Sequence, residues 1–227
     1  MLGNIVVFEG IDGSGKSTQF ELICNRLTRQ GRQFRRLSFP RYNEPSSTLI
    51  KLYLSGAFGE NPDDVNAYAA SSFFAADRYA SFVQDWGEYY KAGGLILTDR
   101  YTTSNALHQG AKMESNERKQ FFTWLYDYEF SLIKLPKPDL VFYMNIPVDV
   151  AVKRLSTRQA ETGTHADIHE KDFSYLKSCA ESGNQAAEQF VWCVIDSIKN
   201  GQVRSPDEIH SEIYERFQCL IDSMKTK

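Results

Sequence analysis

The run Gly10-Ile11-Asp12-Gly13-Ser14-Gly15-Lys16-Ser17-Thr18 matches G-x-x-x-x-G-K-[ST] and follows an apolar stretch, Ile5 to Glu9, that reads as a strand. Its chemistry is that of a polyphosphate cradle. Glycines let the backbone wrap so that successive N–H groups converge, and the following helix adds partial positive charge at its N-terminus. Lys16 then reaches the β- and γ-phosphates, and Ser17 supplies a hydroxyl to Mg²⁺. A Gly-rich turn with an incidental lysine is the bland alternative, and the flanking strand and helix weigh against it. The cradle does not separate a kinase from a GTPase switch or an ATPase motor, because all of them hold the triphosphate in the same way.

Three further clusters bear on the acceptor. Phe39-Pro40-Arg41-Tyr42 follows a second apolar run, at the edge where open parallel sheets bind ligands, and Arg41 is expected to project toward the cradle. Phe74 and Arg78 lie four apart in a helical pattern and share a face. Together they suit a base and a phosphate; alternatively, Phe74 is core and Arg78 pairs with a carboxylate. The third cluster is Leu95 to Tyr101, a strand ending in Asp99-Arg100, followed by Ser104, Asn105, His108 and Gln109. Asp99 stands where a phosphate-cradle enzyme places the carboxylate that steers Mg²⁺ through water, and Arg100 can neutralise charge between two phosphates. Asn105 and Gln109, one turn apart with His108 beside them, form a polar patch able to read a base edge.

These residues need a scaffold, and the chain has the means to build one. It has 227 residues, 42% hydrophobic and 13% aromatic, which fits one domain over residues 1–227. Five apolar runs read as strands: Ile5 to Glu9, Phe34 to Phe39, Leu95 to Thr98, Leu140 to Asn145 and Val191 to Ile195. Most are continuous, as in strands buried on both faces of a parallel sheet. Helical patterns over Lys16 to Gln30, Val65 to Tyr90 and Val148 to Thr157 separate them, so the expected fold is α/β, three layers α/β/α around a five-stranded parallel sheet. The polar segment from Gln159 to Lys171 has too little apolar content for core and reads as a lid over the site.

With 26 basic and 29 acidic residues the net charge is −3, which provides no field for a nucleic acid or an anionic membrane. No apolar run approaches the roughly 20 residues that cross a bilayer. Cys24, Cys179, Cys193 and Cys219 lack CxxC spacing and read as reduced, buried thiols of a cytoplasmic protein. His165 and His169, four apart, have no evident third ligand and suit a polar lid better than a metal site. The run Arg26, Arg29, Arg32, Arg35, Arg36 reads as a solvated face.

The pieces FEGIDGSGKST, SFPRY, FFAADR, TDRYTTSNALHQG, LPKPDL and DIHEKDFSYL, in this order, resemble the thymidylate kinase family of P-loop nucleoside monophosphate kinases, over nearly the whole chain. FPRY together with DRY-x-x-S is more specific than the P-loop. The resemblance implies ATP-dependent phosphorylation of thymidine monophosphate, with Mg²⁺ and commonly a homodimer. It implies that Gly10 to Thr18 bind ATP, that Lys16 and Ser17 hold phosphates and Mg²⁺, and that Asp12 lies near the acceptor sugar and metal. Phe74 would stack on thymine, Arg78 would grip the acceptor phosphate, and Arg41 and Arg100 would bridge the phosphate sites. Phe39, Pro40, Ser104, Asn105, His108 and Gln109 complete the acceptor site, with Asn105 and Gln109 on the base edge. His108 departs from the family's usual Tyr or Phe. Gly13 stands where some members carry an arginine, so Arg154 or Arg158 would supply that charge. The adenine pocket is expected near Ser197 to Gly201. Kinases of another deoxynucleoside or nucleoside monophosphate, and a non-catalytic P-loop switch, are the alternatives. No N-K-x-D-type guanine reader is seen to favour the switch.

Overall fold

A computed structural model describes residues 2–162 and 173–225, with side chains placed for 2–157 and 173–222. Five strands form one parallel sheet in the order β2-β3-β1-β4-β5: β1 (Asn4–Glu9), β2 (Arg35–Ser38), β3 (Leu95–Asp99), β4 (Leu140–Asn145) and β5 (Cys193–Asp196). The register sets Val6 beside Leu97 and Phe8 beside both Asp99 and Phe142, so β1 is central and its carboxyl end faces the loops of its neighbours. Alternation along β1 sends Ile5 and Val7 into one core and Val6 and Phe8 into another. Both cores are closed, which is why the run is apolar at every step.

The first core lies under α5 (Thr102–His108), α6 (Arg118–Tyr126) and α8 (Phe173–Phe190); the second lies under α1 (Lys16–Arg29) and α9 (Pro206–Lys225). Between β2 and β3 run α2 (Thr48–Leu54), α3 (Ala67–Ser81) and α4 (Gly87–Lys91). A π-helical turn, Phe82–Trp86, joins α3 to α4. The helix expected over Val65 to Tyr90 is therefore divided, and it starts at Ala67 because Asn66 caps it, its side chain accepting from the Ala69 N–H at 2.9 Å.

Four other expectations shift. The strand expected from Val191 begins at Cys193, since Val191 turns left-handed (φ 53°) where α8 ends and is 89% exposed. The helix α7 (Val148–Thr162) runs five residues beyond the expected Thr157, so the first part of the expected lid, 159–162, is helical; the rest, 163–171, with His165 and His169, lies outside the described residues. The pattern reading assigned no element to α8 or α9. The buried face of α8 begins with Tyr175 and Leu176 but continues through Cys179, Ser182, Gly183, Ala186 and Ala187, mostly small residues that mark a face weakly. Finally, Cys24 and Cys179 are buried as expected, but Cys193 is half-buried and Cys219 exposed, on the outer edge strand and on α9.

Candidate active site

The loop between β1 and α1 wraps as its glycines require. Gly13 (φ 80°) and Gly15 (φ 89°) occupy the left-handed region, and a β-carbon on Gly13 would lie 2.3 Å from the Ala151 carbonyl oxygen of α7. No arginine fits at Gly13 against that backbone. Of the two arginines expected on α7, Arg154 approaches the same loop, its Nη1 3.5 Å from the Ser14 carbonyl oxygen. The side chain of Arg158 lies outside the described residues.

Lys16 is buried and its Nζ donates to Asp99 Oδ1 at 2.8 Å, while the Ser17 hydroxyl donates to Asp99 Oδ2 at 3.1 Å. The parallel pairing of β1 with β3 makes this possible, because it sets Asp99, the last residue of β3, beside Phe8, so that β3 ends at the level where β1 runs into the loop that leads to Lys16 and Ser17. A carboxylate and a hydroxyl at the phosphate cradle are hard oxygen donors suited to Mg²⁺, which keeps several waters and takes its other ligands from phosphates. This fits the expected placement of Ser17 and Asp99.

Two cavities open at the carboxyl edge of the sheet. One, of about 360 Å³, is lined by 11–19 of the P-loop and α1 together with Met144, Arg154, Leu155, Arg204, Pro206 and Ile209. Its far end is walled by Arg204, Pro206 and Ile209 rather than by the expected Ser197 to Gly201, which form a small β-hairpin of β6 (Ile198–Lys199) and β7 (Gln202–Val203). Arg204 is fixed there by the Asp196 carbonyl and Glu212. The second cavity, of about 180 Å³, is lined by Asp12, Phe39, Pro40, Phe74, Arg78, Arg100, Ser104, Asn105, His108 and Gln109, all expected from the sequence, and by Tyr42, Leu54 and Tyr101, which were not. Asp12 lines both cavities, so they meet at this residue.

Arg100 stands at that junction in a left-handed conformation (φ 68°), secured by the Thr98 hydroxyl donating to its carbonyl oxygen at 2.7 Å. Nη2 donates to Asp12, Nη1 lies 2.9 Å from His108 Nε2, and Glu9 Oε1 is 3.8 Å away. Burial would lower its pKa, but Asp12, Glu9 and Asp99 outweigh burial and hold the guanidinium more firmly protonated than usual. Glu9 is wholly buried and accepts from Thr103, Ser104 and the Gly10 N–H. Neither Glu9 nor the similarly buried Glu129 and Asp77 was singled out from the sequence. A buried carboxylate in an apolar run carries no local signal of its partner.

For Arg78 the structure shows the alternative reading, pairing with a carboxylate. Arg78 lines the cavity, and it is 1% exposed and paired with Glu129, Nε donating to Oε2 at 2.7 Å and Nη2 to Oε1 at 2.5 Å. Glu129 projects from a π-helical turn, Asp127–Leu132, and also accepts from Thr102 and, at 3.4 Å, from Asn105. Arg41 departs from expectation: it lines neither cavity, because its backbone N–H and Nε donate to the buried Asp77 carboxylate and Nη2 to Ser46. The half-buried Phe74 ring packs edge-on to Tyr53, leaving Phe74 on the cavity wall. Gln109 is wholly buried, and neither polar atom of its amide has a hydrogen-bond partner among the described residues. An orphaned amide in the lining of a cavity is costly unless a ligand completes it.

A family model for thymidylate kinase matches residues 8–213. Similar proteins include the thymidylate kinase of Mycobacterium tuberculosis (strain ATCC 25618 / H37Rv), 30% identical over 170 residues, 74% of this chain and 78% of that one. A probable thymidylate kinase of Methanocaldococcus jannaschii is 31% identical over 213 residues, 92% of each chain. The solved structure of a thymidylate kinase from Candida albicans shares the fold, with a TM-score of 0.71 at 22% identity over 96% of this chain and 92% of that one. Because the family match runs from β1 into α9 and takes in every residue lining the two cavities, the chain belongs to the thymidylate kinase family.

Proposed function

We propose that the joined cavities carry out the reaction of this family, transfer of the γ-phosphoryl group of ATP to the phosphate of thymidine monophosphate. The observation that carries the reading is the shared wall at Asp12: two nucleotide-sized spaces, one with a P-loop and one with a ring, Phe74, and an unsatisfied amide, Gln109, meet where Lys16, Arg100 and Arg154 collect positive charge. In-line transfer needs this arrangement and little covalent chemistry. No general base is required, because an acceptor phosphate oxygen is already ionised near neutral pH.

Gly10 to Thr18 cradle the donor phosphates, with Lys16 on the β- and γ-phosphates and Arg154 facing the transferred group. Ser17 and Asp99 would hold Mg²⁺, which supplies charge neutralisation across the donor phosphates. The acceptor phosphate belongs at the Asp12 end, beside Arg100, and the base at the end where Arg78, Asn105 and Gln109 gather. With Glu129 matching its charge, Arg78 serves the base better than the phosphate. Arg41 acts from the rim, oriented by Asp77, and Phe39, Pro40 and Ser104 close the wall. Arg204 and Pro206 border the adenine.

A single domain, a cytoplasmic location, a homodimer and the absence of a nucleic-acid partner belong to the same proposal. In support, no described helix is long and apolar enough to cross a membrane, and the four cysteines are free. Tyr79, Val83 and Leu132 form an exposed apolar patch that a second copy could cover. ADP release from ATP should be slow with the protein alone and rise strongly with thymidine monophosphate. A comparable rise with uridine or cytidine monophosphate instead would move the substrate assignment, and no response to any monophosphate would remove it.

A further inference from the structure

The connection from α2 to α3 has no core of its own: every residue from 54 to 66 is half-buried or exposed. It nevertheless begins and ends at the acceptor wall. Leu54 lines that cavity, and α3, which starts after Asn66, carries Phe74 and Arg78. Such a segment is located by whatever ties it to the body. One tie comes from the 3-10 turn Gly110–Lys112, directly after Gln109. Gly110 seats this turn against α6 and α8, because a β-carbon there would lie 2.8 Å from the Phe122 ring and 2.3 Å from the Ser182 hydroxyl. From that seat Lys112 Nζ donates to the Val65 carbonyl oxygen at 2.8 Å, one residue before the Asn66 cap, and stands 4.9 Å from the centroid of the Tyr53 ring. Tyr53 is 1% exposed and meets Phe74 edge-on, ring centroids 6.3 Å apart.

We propose that Lys112 is a positioning residue for the acceptor, latching the α2–α3 connection to the turn behind Gln109 and setting, through Tyr53, the tilt of the Phe74 ring. The inference rests on the reading above that this cavity takes thymidine monophosphate with its base beside Phe74. Lys112 itself lines neither cavity, so it acts through its two contacts. A cation over the face of Tyr53 favours one plane for that ring, and an edge-on contact passes the plane on to Phe74. The bond to Val65 fixes where α3 begins, and with it the height of Phe74 on the wall. Burial pulls the ammonium down to about 8, with Asp63 opposing, so the chain keeps this charge at a cost that a lysine in open solvent avoids.

The test is steady-state kinetics at neutral pH on the parent chain, Lys112→Met, Tyr53→Leu and the double variant. Lys112→Met keeps the apolar stem and removes the charge and the donor. KM for thymidine monophosphate should rise about five- to thirtyfold, with KM for ATP and kcat within about twofold of the parent. Tyr53→Leu should raise the same KM. Because Lys112 acts partly through that ring, the double variant should fall at least about threefold short of the product of the two single effects. An unchanged KM for thymidine monophosphate, equal changes in both Michaelis constants, or a double variant at the product would overturn the latch. A further readout needs no substrate. In ligand-free Lys112→Met the hydrogen-bonded amides of Asn61, Asp64, Ala69 and Ala70 should exchange at least about tenfold faster, while those of β1 and β3 keep the parent's rates. Unchanged exchange at these amides, or an equal rise in the two strands, refutes the latch whatever the chain phosphorylates. A parent chain that phosphorylates no monophosphate would count against the function instead, and exchange alone would then decide the latch.

Discussion

Glu129→Gln removes one charge from a pair in which neither side chain reaches solvent and leaves the shape of the site intact. Arg78 then stays buried with its charge unmatched, and one of the carboxylate oxygens that bonded Arg78, Thr102 and Asn105 becomes an amide nitrogen. Breaking a buried pair from one side costs about 3–5 kcal/mol, and the lower figure suits Gln because its oxygen still accepts. A domain of this length loses about 2–4 °C of melting temperature per kcal/mol, so a drop of about 6–12 °C is expected in a calorimetric scan without ligand. The same substitution should raise KM for thymidine monophosphate and leave KM for ATP unchanged, because Arg78 and Asn105, two of the three side chains bonded to Glu129, line the acceptor cavity and none of the three lines the other. The double replacement Arg78→Met with Glu129→Leu separates stability from recognition. An apolar pair of similar volume should restore much of the melting temperature without restoring acceptor binding. A melting temperature within about 2 °C of the parent for Glu129→Gln, or equal changes in both Michaelis constants, would refute the assignment of this pair to the floor of the acceptor site.

Gln109→Met should stabilise the ligand-free chain by about 1–3 kcal/mol, since two orphaned polar atoms disappear, while raising KM for thymidine monophosphate at least tenfold; denaturant titration beside kinetics checks both, and a destabilised variant would mean that the amide has partners. Arg154→Ala should lower kcat with little change in KM for thymidine monophosphate, and unaltered turnover would return the cation on the phosphoryl group to another residue. Burial pulls the Lys112 ammonium down to about 8, with Asp63 opposing. The unfolded chain therefore binds the extra proton between about pH 8 and the ordinary 10.5, and stability gains a contribution that rises with pH across that window. Lys112→Met should remove that rise in urea midpoints measured from pH 7.5 to 10.5, and parallel curves for the two chains would contradict it.

The parent sequence carried much of this in local form. The P-loop spacing, the continuous apolar runs and the one-turn separation of Asn105 and Gln109 are properties of short segments, where a period or a glycine pattern states its own geometry. Those segments were enough to expect a five-stranded parallel sheet and nearly all of the acceptor wall. Three kinds of feature were beyond such reading. The second half of the buried face of α8 is made of small residues, and Gly183 is small because a β-carbon there would lie 2.5 Å from the Tyr143 hydroxyl of β4. Leu54 joins the cavity through a chain crossing with no motif to mark it, and Tyr42 and Tyr101, though letters of FPRY and DRY, show no sign in the sequence that they reach the same wall.

The deepest gap concerns charge. The sequence by itself determined which cations the chain brings to the carboxyl edge, since FPRY, the ADR of α3 and the DRY after β3 are written in contiguous letters. Only the tertiary structure decided what each cation is matched with: Arg41 with Asp77, Arg78 with Glu129, Arg100 with Asp12 and Glu9. Those partners lie 36, 51 and, for Asp12, 88 residues away along the chain. A buried guanidinium is tolerable only where a carboxylate meets it, and which carboxylate arrives is set by the packing of helices and strands. The role of each arginine, free to meet a phosphate or held to shape a wall, follows from that pairing.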